Sequence, residues 1–368
     1  MSGGITQLVA IGAQDAHLVG DPQVSFFRSN YKRHTNFAHV VDRGTIQGNP
    51  VASGMSSVRF ERKGDLLGYV YLTAVLTANN KSATVDATDI DRIEFLIGGQ
   101  IIDTQDSNYS LHIGQHLSTT AAGKASVNTT TGAGMGSFTY PLHFSFCENW
   151  QSAIPMIALQ YHDVEIRIRW SDSTAPAFPA TKRYSIHSSF IYLDTAEREE
   201  LSNTPQDMLI TQVQKSITSG SKIQELNFNH PVKFLAASSN LIVNGVTSVS
   251  SKLKLQVNGV DVGEDRVYAP HFNSTPFYFH CPYSLPLASN CSPGNGFLYP
   301  FCLETNKLQP TGTLNFSRLD SARIITDDPG GIGDTTGTAS DGTNNDVYGV
   351  NYNILRVQNG MGGLMYAN

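Results

Sequence analysis

Charge is scarce in this chain. Asp, Glu, Lys and Arg make up 15% of its 368 residues, against roughly a quarter in ordinary soluble domains. Charge this sparse excludes a long solvated helix or a coiled coil. Cysteine is nearly absent, with only Cys147, Cys281, Cys291 and Cys302, and no CxxC or Cys/His zinc spacing joins them. Four reduced thiols in a reducing compartment are expected. No apolar run approaches the roughly 18 residues that cross a membrane as a helix. The opening MSGGITQLVAIGAQD lacks the basic and apolar regions of a secretion signal, so export is not expected. A basic excess is missing too. Net charge is −6, with 15 Lys and Arg against 19 Asp and Glu in residues 1–200, and 10 against 12 in the remainder. Neither half is built to wrap nucleic acid or coat an anionic membrane, and no sequence-specific nucleic-acid partner is expected.

The signatures of common catalysis are also missing. There is no GxSxG elbow, no HExxH, no GxGxxG opening a helix, and Gly123-Lys124 lacks the rest of a phosphate-binding loop. His112 and His116 stand four apart, a spacing that on a helix would let both grip a metal. The accompanying Glu of a metalloprotease is absent, and a polar helix face is the preferred reading. Asp86, Asp89, Asp91 and Glu94 form an acidic cluster, and Asp327, Asp328, Asp334, Asp341 and Asp346 form a second. Neither follows the calcium-loop spacing of an EF-hand, so both read as solvated turn residues. No catalytic constellation, cofactor or metal site is expected.

What is present is a β-rich chain able to bury a core. Hydrophobic residues make up 40%, and 32 glycines and 16 prolines are spread without a three-residue period, which excludes collagen and wholesale disorder. At about 100–200 residues per domain the length implies two or three domains. Val70, Leu72, Ala74 and Leu76 alternate with Tyr69, Tyr71, Thr73 and Val75. Val164, Ile166, Ile168 and Trp170 alternate with Glu165, Arg167 and Arg169. Period-two alternation predicts half-buried strands of antiparallel sheets.

Two segments echo each other at an offset of 160 residues. RIEFLIGG at 92–99 and KLKLQVNG at 252–259 place Ile93, Phe95 and Ile97 opposite Leu253, Leu255 and Val257. Each ends in a pair, Gly98-Gly99 or Asn258-Gly259, suited to a two-residue hairpin turn. The echo hints at a duplicated β domain. Helical signals are few. Asp21-Pro22 predicts an N-cap and a turn or two of helix through VSFFRSNY, and the charge-dense 194–215 predicts a linker with short helix on either side of Pro205. Many short strands with long polar loops indicate sandwiches or jelly rolls. Arg28, Lys32, Arg33, His34 and Arg43 make residues 28–43 locally basic. N-x-S/T sequons fall at Asn80, Asn108, Asn128, Asn273, Asn290 and Asn315.

Several blocks, in order, carry a resemblance. They are GGITQLVAIGAQDAHLVGDPQVSFFRSNYKRHTNFA (3–38), RKGDLLGYVYL (62–72), IEFLIGGQIIDTQ (93–105) and PLHFSFCENWQSAIPMIALQYHDVEI (141–166). LDTAEREEL (193–201), LKLQVNGVD (253–261), PTGTLNFSRLDSARI (310–324) and VYGVNYNILRVQNGMGGLMYAN (347–368) follow. Together they resemble the major capsid protein of the nucleocytoplasmic large DNA viruses. Asn108-Tyr109 departs from that family, whose members often carry tryptophan there, and the shorter chain is expected to lack a tall outward tower.

The resemblance implies an all-β double jelly roll: two tandem eight-stranded rolls with a few short helices. The expected parts are an N-terminal arm at 1–24, a first roll at 25–197, a linker at 198–214 and a second roll at 215–368. It implies a structural protein, not an enzyme. Homotrimers would form pseudo-hexagonal capsomers that tile an icosahedral shell. Neighbouring capsomers, penton and minor capsid proteins and an inner membrane would be its partners. The protein would sit in the virion capsid after assembly in the host cytoplasm. Arg28, Lys32 and Arg33 are expected to anchor the inner face, and Asn128, Asn273 and Asn290 are candidate glycosylation positions. The competing reading is a carbohydrate-binding or carbohydrate-cleaving β-sandwich, which would normally be exported and carry paired carboxylates in a cleft.

Overall fold

The computed structural model describes residues 4, 12–29, 31–86, 89–114, 117, 128–131, 134–137, 139–172, 182–217, 221–237, 252–281, 297–327 and 346–367. Met1–Asn36 is one compact unit and Phe37–Asn368 the other. In the first unit a one-turn helix spans Ala16–Val19 and stops at Gly20. Asp21 follows at φ 48°, so the helix ends just before Asp21-Pro22 instead of starting there. VSFFRSNY is rich in β-branched, aromatic and short polar residues, which are mediocre helix formers, and its described residues stay irregular.

Among its described residues the second unit contains sixteen principal strands. The first eight are β1 (Phe37–Gly44), β2 (Met55–Arg59), β3 (Leu66–Leu76), β4 (Ile90–Ile97), β5 (Gln100–Asp106), β6 (Tyr140–Pro141), β7 (Val164–Trp170) and β8 (Lys182–Leu193). The next eight are β9 (Gln206–Ser216), β10 (Ile223–Glu225), β11 (Pro231–Ala237), β12 (Lys252–Val257), β13 (Val260–Tyr268), β14 (Phe297–Pro300), β15 (Ala322–Thr326) and β16 (Val347–Gln358). The first set forms two sheets in the orders β1-β8-β3-β6 and β2-β7-β4-β5. The second set forms β9-β16-β11-β14 and β10-β15-β12-β13. Adding eight to each strand of the first roll gives the second. This is the double jelly roll that the resemblance implies. Helix α1 (Thr195–Asn203) follows β8. The residues beyond Pro205 run as β9, not as a second helix, so the segment 198–214 is divided between α1 and β9. Helix α2 (Ala269–His280) lies between β13 and β14.

The expected alternation is realised. On β7 the even positions Val164, Ile166, Ile168 and Trp170 are buried while Arg167 and Glu165 are partly exposed. Each buried aliphatic side chain contributes about 1.5–3 kcal/mol. Trp170 is fully buried, and its indole N–H finds the Ser56 hydroxyl at 2.8 Å. The first roll's core joins Val58, Leu72, Ile93, Phe95 and Ile186 to that row. The second centres on Phe228, Val232, Leu235, Leu253, Leu255 and Ile324.

The echoed segments occupy equivalent strands, β4 and β12, and each closes a two-residue hairpin. Ile97 pairs with Gln100 and Val257 with Val260. Gly98 and Gly99 sit at φ 58° and 83°, Asn258 and Gly259 at 49° and 80°, the left-handed pair that such a turn requires.

These two turns differ in surroundings. A Cβ on Gly98 would lie 2.4 Å from the His162 ring, whereas one on Gly259 meets nothing within 4 Å. Gly259→Ala is therefore expected to lower stability by about 1 kcal/mol from backbone strain alone, and Gly98→Ala by clearly more. Equal shifts in chemical-denaturation midpoints would contradict the close approach of His162.

Candidate assembly surfaces

Each roll has a sheet, β1-β8-β3-β6 or β9-β16-β11-β14, whose outer face can meet another surface. Among the described residues one of these faces is covered and its counterpart is half-exposed, with Tyr69, Tyr71 and His187 partly accessible. The outer face of β9-β16-β11-β14 carries Phe234, Ala236, Leu298, Tyr348 and Val350. Tyr109, Ile113 and Leu117, from the segment after β5, bury it together with Phe277, Cys281 and Cys302 of the second roll itself. Further along, Ile210, Leu355 and Val357 join the first roll's own core. The sheet is thus apolar on both sides, and the near-continuous runs FLAA in β11 and VYGV in β16 are the sequence trace of that double burial.

A polar seam fixes the register between the rolls. Asp103 on β5 accepts the backbone N–H of Val213 on β9 at 2.9 Å. It also accepts from the Thr104 N–H and from Gln105 Nε2, each at 2.9 Å. Gln212 donates to the Ile102 carbonyl, and Asn353 Nδ2 donates to Gln212 Oε1 at 2.8 Å. Lys215 Nζ lies 2.9 Å from Asp106 and 2.7 Å from Asp346. The Tyr348 hydroxyl donates to Asp106 at 2.7 Å. Burial works against the Lys215 ammonium, yet these two carboxylates hold its pKa above the ordinary value. Among the described residues the Lys233 ammonium on β11 meets the Lys307 carbonyl at 3.3 Å and the Tyr352 ring at 5.6 Å, and burial lowers its pKa. At the far end, the strand Met361–Leu364 pairs with β16. Beside it His162 Nδ1 and the Gly362 carbonyl are 2.9 Å apart, and the Tyr161 N–H reaches the Gly360 carbonyl at 2.9 Å.

The counterpart face, the outer side of β1-β8-β3-β6, carries an aromatic ladder. Tyr71 stacks on His187 at 5.0 Å and neighbours Tyr69 at 6.3 Å. Trp150 meets Tyr69 edge-on at 5.7 Å and His39 at 6.1 Å. Trp150 is 62% exposed. Thr73 Oγ1 lies 3.2 Å from His187 Nε2, and burial followed by the nearby Arg43 lowers the His187 pKa.

The expected sites fare differently. Asp86 and Asp89 are not solvated turn residues. Both hold Lys182 Nζ at 2.8 Å, with Asp89 buried. Lys182 stands 96 and 93 residues away, and only tertiary pairing brings it in. Arg28, Lys32 and Arg33 are all exposed. Asn128 lies on the strand Asn128–Thr131 and Asn273 within α2, but their side chains lie outside the described residues, as do Asn290, Cys291 and His116. Asn108 is buried, which leaves a glycan no room, and Asn315 Oδ1 caps the Ser317 N–H at 3.1 Å. Cys147, Cys281 and Cys302 are free thiols. Among the described residues no three His, Cys, Asp or Glu converge as a metal site.

The Asp103 carboxyl is pushed up to about 7 by burial, against the pull of its three N–H donors. A folded value above the ordinary 3.8 means that folding takes up a proton. Its contribution to stability is full below that ordinary value and is lost as pH rises through about 7. The wild type is therefore expected to lose thermal stability between pH 5 and pH 8, and Asp103→Asn to lose less. Parallel losses in both proteins would remove Asp103 as the source.

Comparison with known proteins gives these faces their context. The family described as "Major capsid protein N-terminus" matches residues 25–205, and "Large eukaryotic DNA virus major capsid protein" matches 237–363. A major capsid protein of Pyramimonas orientalis virus is 35% identical, with all of both chains covered. One of Paramecium bursaria Chlorella virus 1 is 30% identical with the same coverage. The PBCV-1 virus capsid structure superposes with TM-score 0.73 at 26% identity, covering 94% of this chain and 100% of that one. Relationships of this length disfavour the carbohydrate-binding or carbohydrate-cleaving reading. The chain belongs to the major capsid protein family of the large eukaryotic DNA viruses, structural components of the virion capsid and not enzymes.

Proposed function

We propose that three copies of this chain assemble into a pseudo-hexagonal capsomer, and that these capsomers tile the icosahedral shell of a large double-stranded DNA virus. The observation that carries this reading is the repeat itself. One chain holds two rolls of identical strand order, so three chains supply six near-equivalent wedges, the number that packs hexagonally. The arm is 1–24 and the first roll 25–197. The proposed second roll, 215–368, gains the start of β9 from the junction 198–214, because β9 pairs with β16 from Gln206 onward. Neighbouring capsomers, penton and minor capsid proteins are the partners, with assembly in the host cytoplasm.

The N-terminal segment faces the shell interior and the inner membrane. Its support is composition and exposure: Phe26 and Phe27 stand open to solvent beside Arg28, Lys32 and Arg33. Apolar rings next to cations suit a headgroup region. Asn128, Asn273 and Asn290 remain the proposed glycan positions.

Two measurements test this. Mass in solution is expected at three times 40.0 kDa, with a hexagonal outline in electron micrographs; single chains at assembly concentrations would refute the capsomer. Charge reversal by Arg28→Glu, Lys32→Glu and Arg33→Glu together is expected to impair shell formation while leaving capsomers intact. Undiminished particle yield would count against an anchoring role.

A further inference from the structure

Within one chain the two rolls meet through unlike surfaces. The first roll contributes the segment that follows β5, with Tyr109, Ile113 and Leu117. The second contributes the outer face of β9-β16-β11-β14, with Phe234, Tyr348 and Val350. A contact between unlike patches on repeated units leaves one patch of each kind unsatisfied, and its repetition runs on until it closes into a ring or extends as a filament. The rolls share one strand order, so both unsatisfied patches can be located by topology.

The first is the outer face of β1-β8-β3-β6, where β3 and β8 stand in place of β11 and β16. It carries the ladder of His39, Tyr69, Tyr71, His187 and Trp150. The second is the segment following β13, which is α2. Its Phe272 and Phe277 pack into the second roll, but Tyr278 and Phe279 project outward, 80% and 68% exposed. Their rings meet edge-on at 4.9 Å. Aromatic side chains of this kind dominate the centres of protein interfaces.

We propose that the aromatic ladder of the first roll is the docking face for the second roll of another copy, with Tyr278 and Phe279 of α2 seated on Tyr69, Tyr71 and His187. The proposal rests on the three-copy reading and adds which surfaces meet. The occupant is a second copy because the equivalent face inside the chain is covered by the equivalent segment. The half-exposed face repeats the aromatic character of the covered one.

The test uses the full chain. A benzophenone amino acid replaces Tyr278 in isotopically heavy chains, which are assembled with light chains and irradiated. Heavy-to-light cross-links are expected within 69–73 or 185–189. Separately, Tyr69→Ala with Tyr71→Ala, and Tyr278→Ala with Phe279→Ala, are each expected to raise the dissociation constant for assembly by ~10-fold or more. Their circular dichroism should match the wild type. Wild-type chains that stay single would overturn the three-copy reading and this proposal with it. A three-copy wild type whose cross-links map elsewhere, and whose double variants assemble as tightly as it does, would overturn the docking face alone. The ladder would then serve a different ligand, such as a glycan.

Discussion

The central strands β11 and β16 are buried on both sides along much of their length. Val232, Leu235 and Val347 face one core while Phe234, Tyr348 and Val350 face the other roll. This double burial is the constraint on which the rest depends. A sheet of a free-standing jelly roll can place polar residues on its outer side. Here much of the outer side is apolar as well. Separating the rolls would expose a row of large side chains, each costing on the order of 1.5–3 kcal/mol in lost burial. The duplication is therefore fused energetically as well as covalently.

Apolar contact alone would let two flat faces slide, and the polar seam prevents that. Asp103, Gln212, Asp106 and Lys215 each have one acceptable set of partners. A shift of one residue would leave buried carboxylates or amides unpaired, at a cost of roughly 1–3 kcal/mol for each neutral group and more for each charge. The same logic holds inside the first roll, where Lys182 bridges Asp86 and Asp89. Sparse charge across the chain thus reflects placement: many of the charges present have an assigned partner.

Much of this was legible in sequence where the determinants are local. The alternation of Val164 through Trp170 and the turn pairs Gly98-Gly99 and Asn258-Gly259 depend on neighbours a few residues away, and they appear as read. The echo between 92–99 and 252–259 lands on equivalent strands. The failures involve distant partners. Nothing near Asp86 announces Lys182, and nothing near Asp103 announces the Val213 N–H. The helix expected after Pro22 failed because a capping signal cannot outweigh a following segment of poor helix formers. The aromatic ladder was half visible, since Tyr69 and Tyr71 were read as one strand face, but His187 and Trp150 join it only through folding.

The strand Met361–Leu364 is added to the edge of β16, yet His162, 200 residues earlier, meets its backbone. Gln100, 264 residues earlier, receives its Leu364 N–H at 3.4 Å. This clasp ties the order of synthesis to the order of assembly. On a ribosome the first roll's strands emerge long before the piece that locks them to the second, and contacts so distant in sequence form late. A chain that stops short of residue 361 lacks this clasp between the rolls.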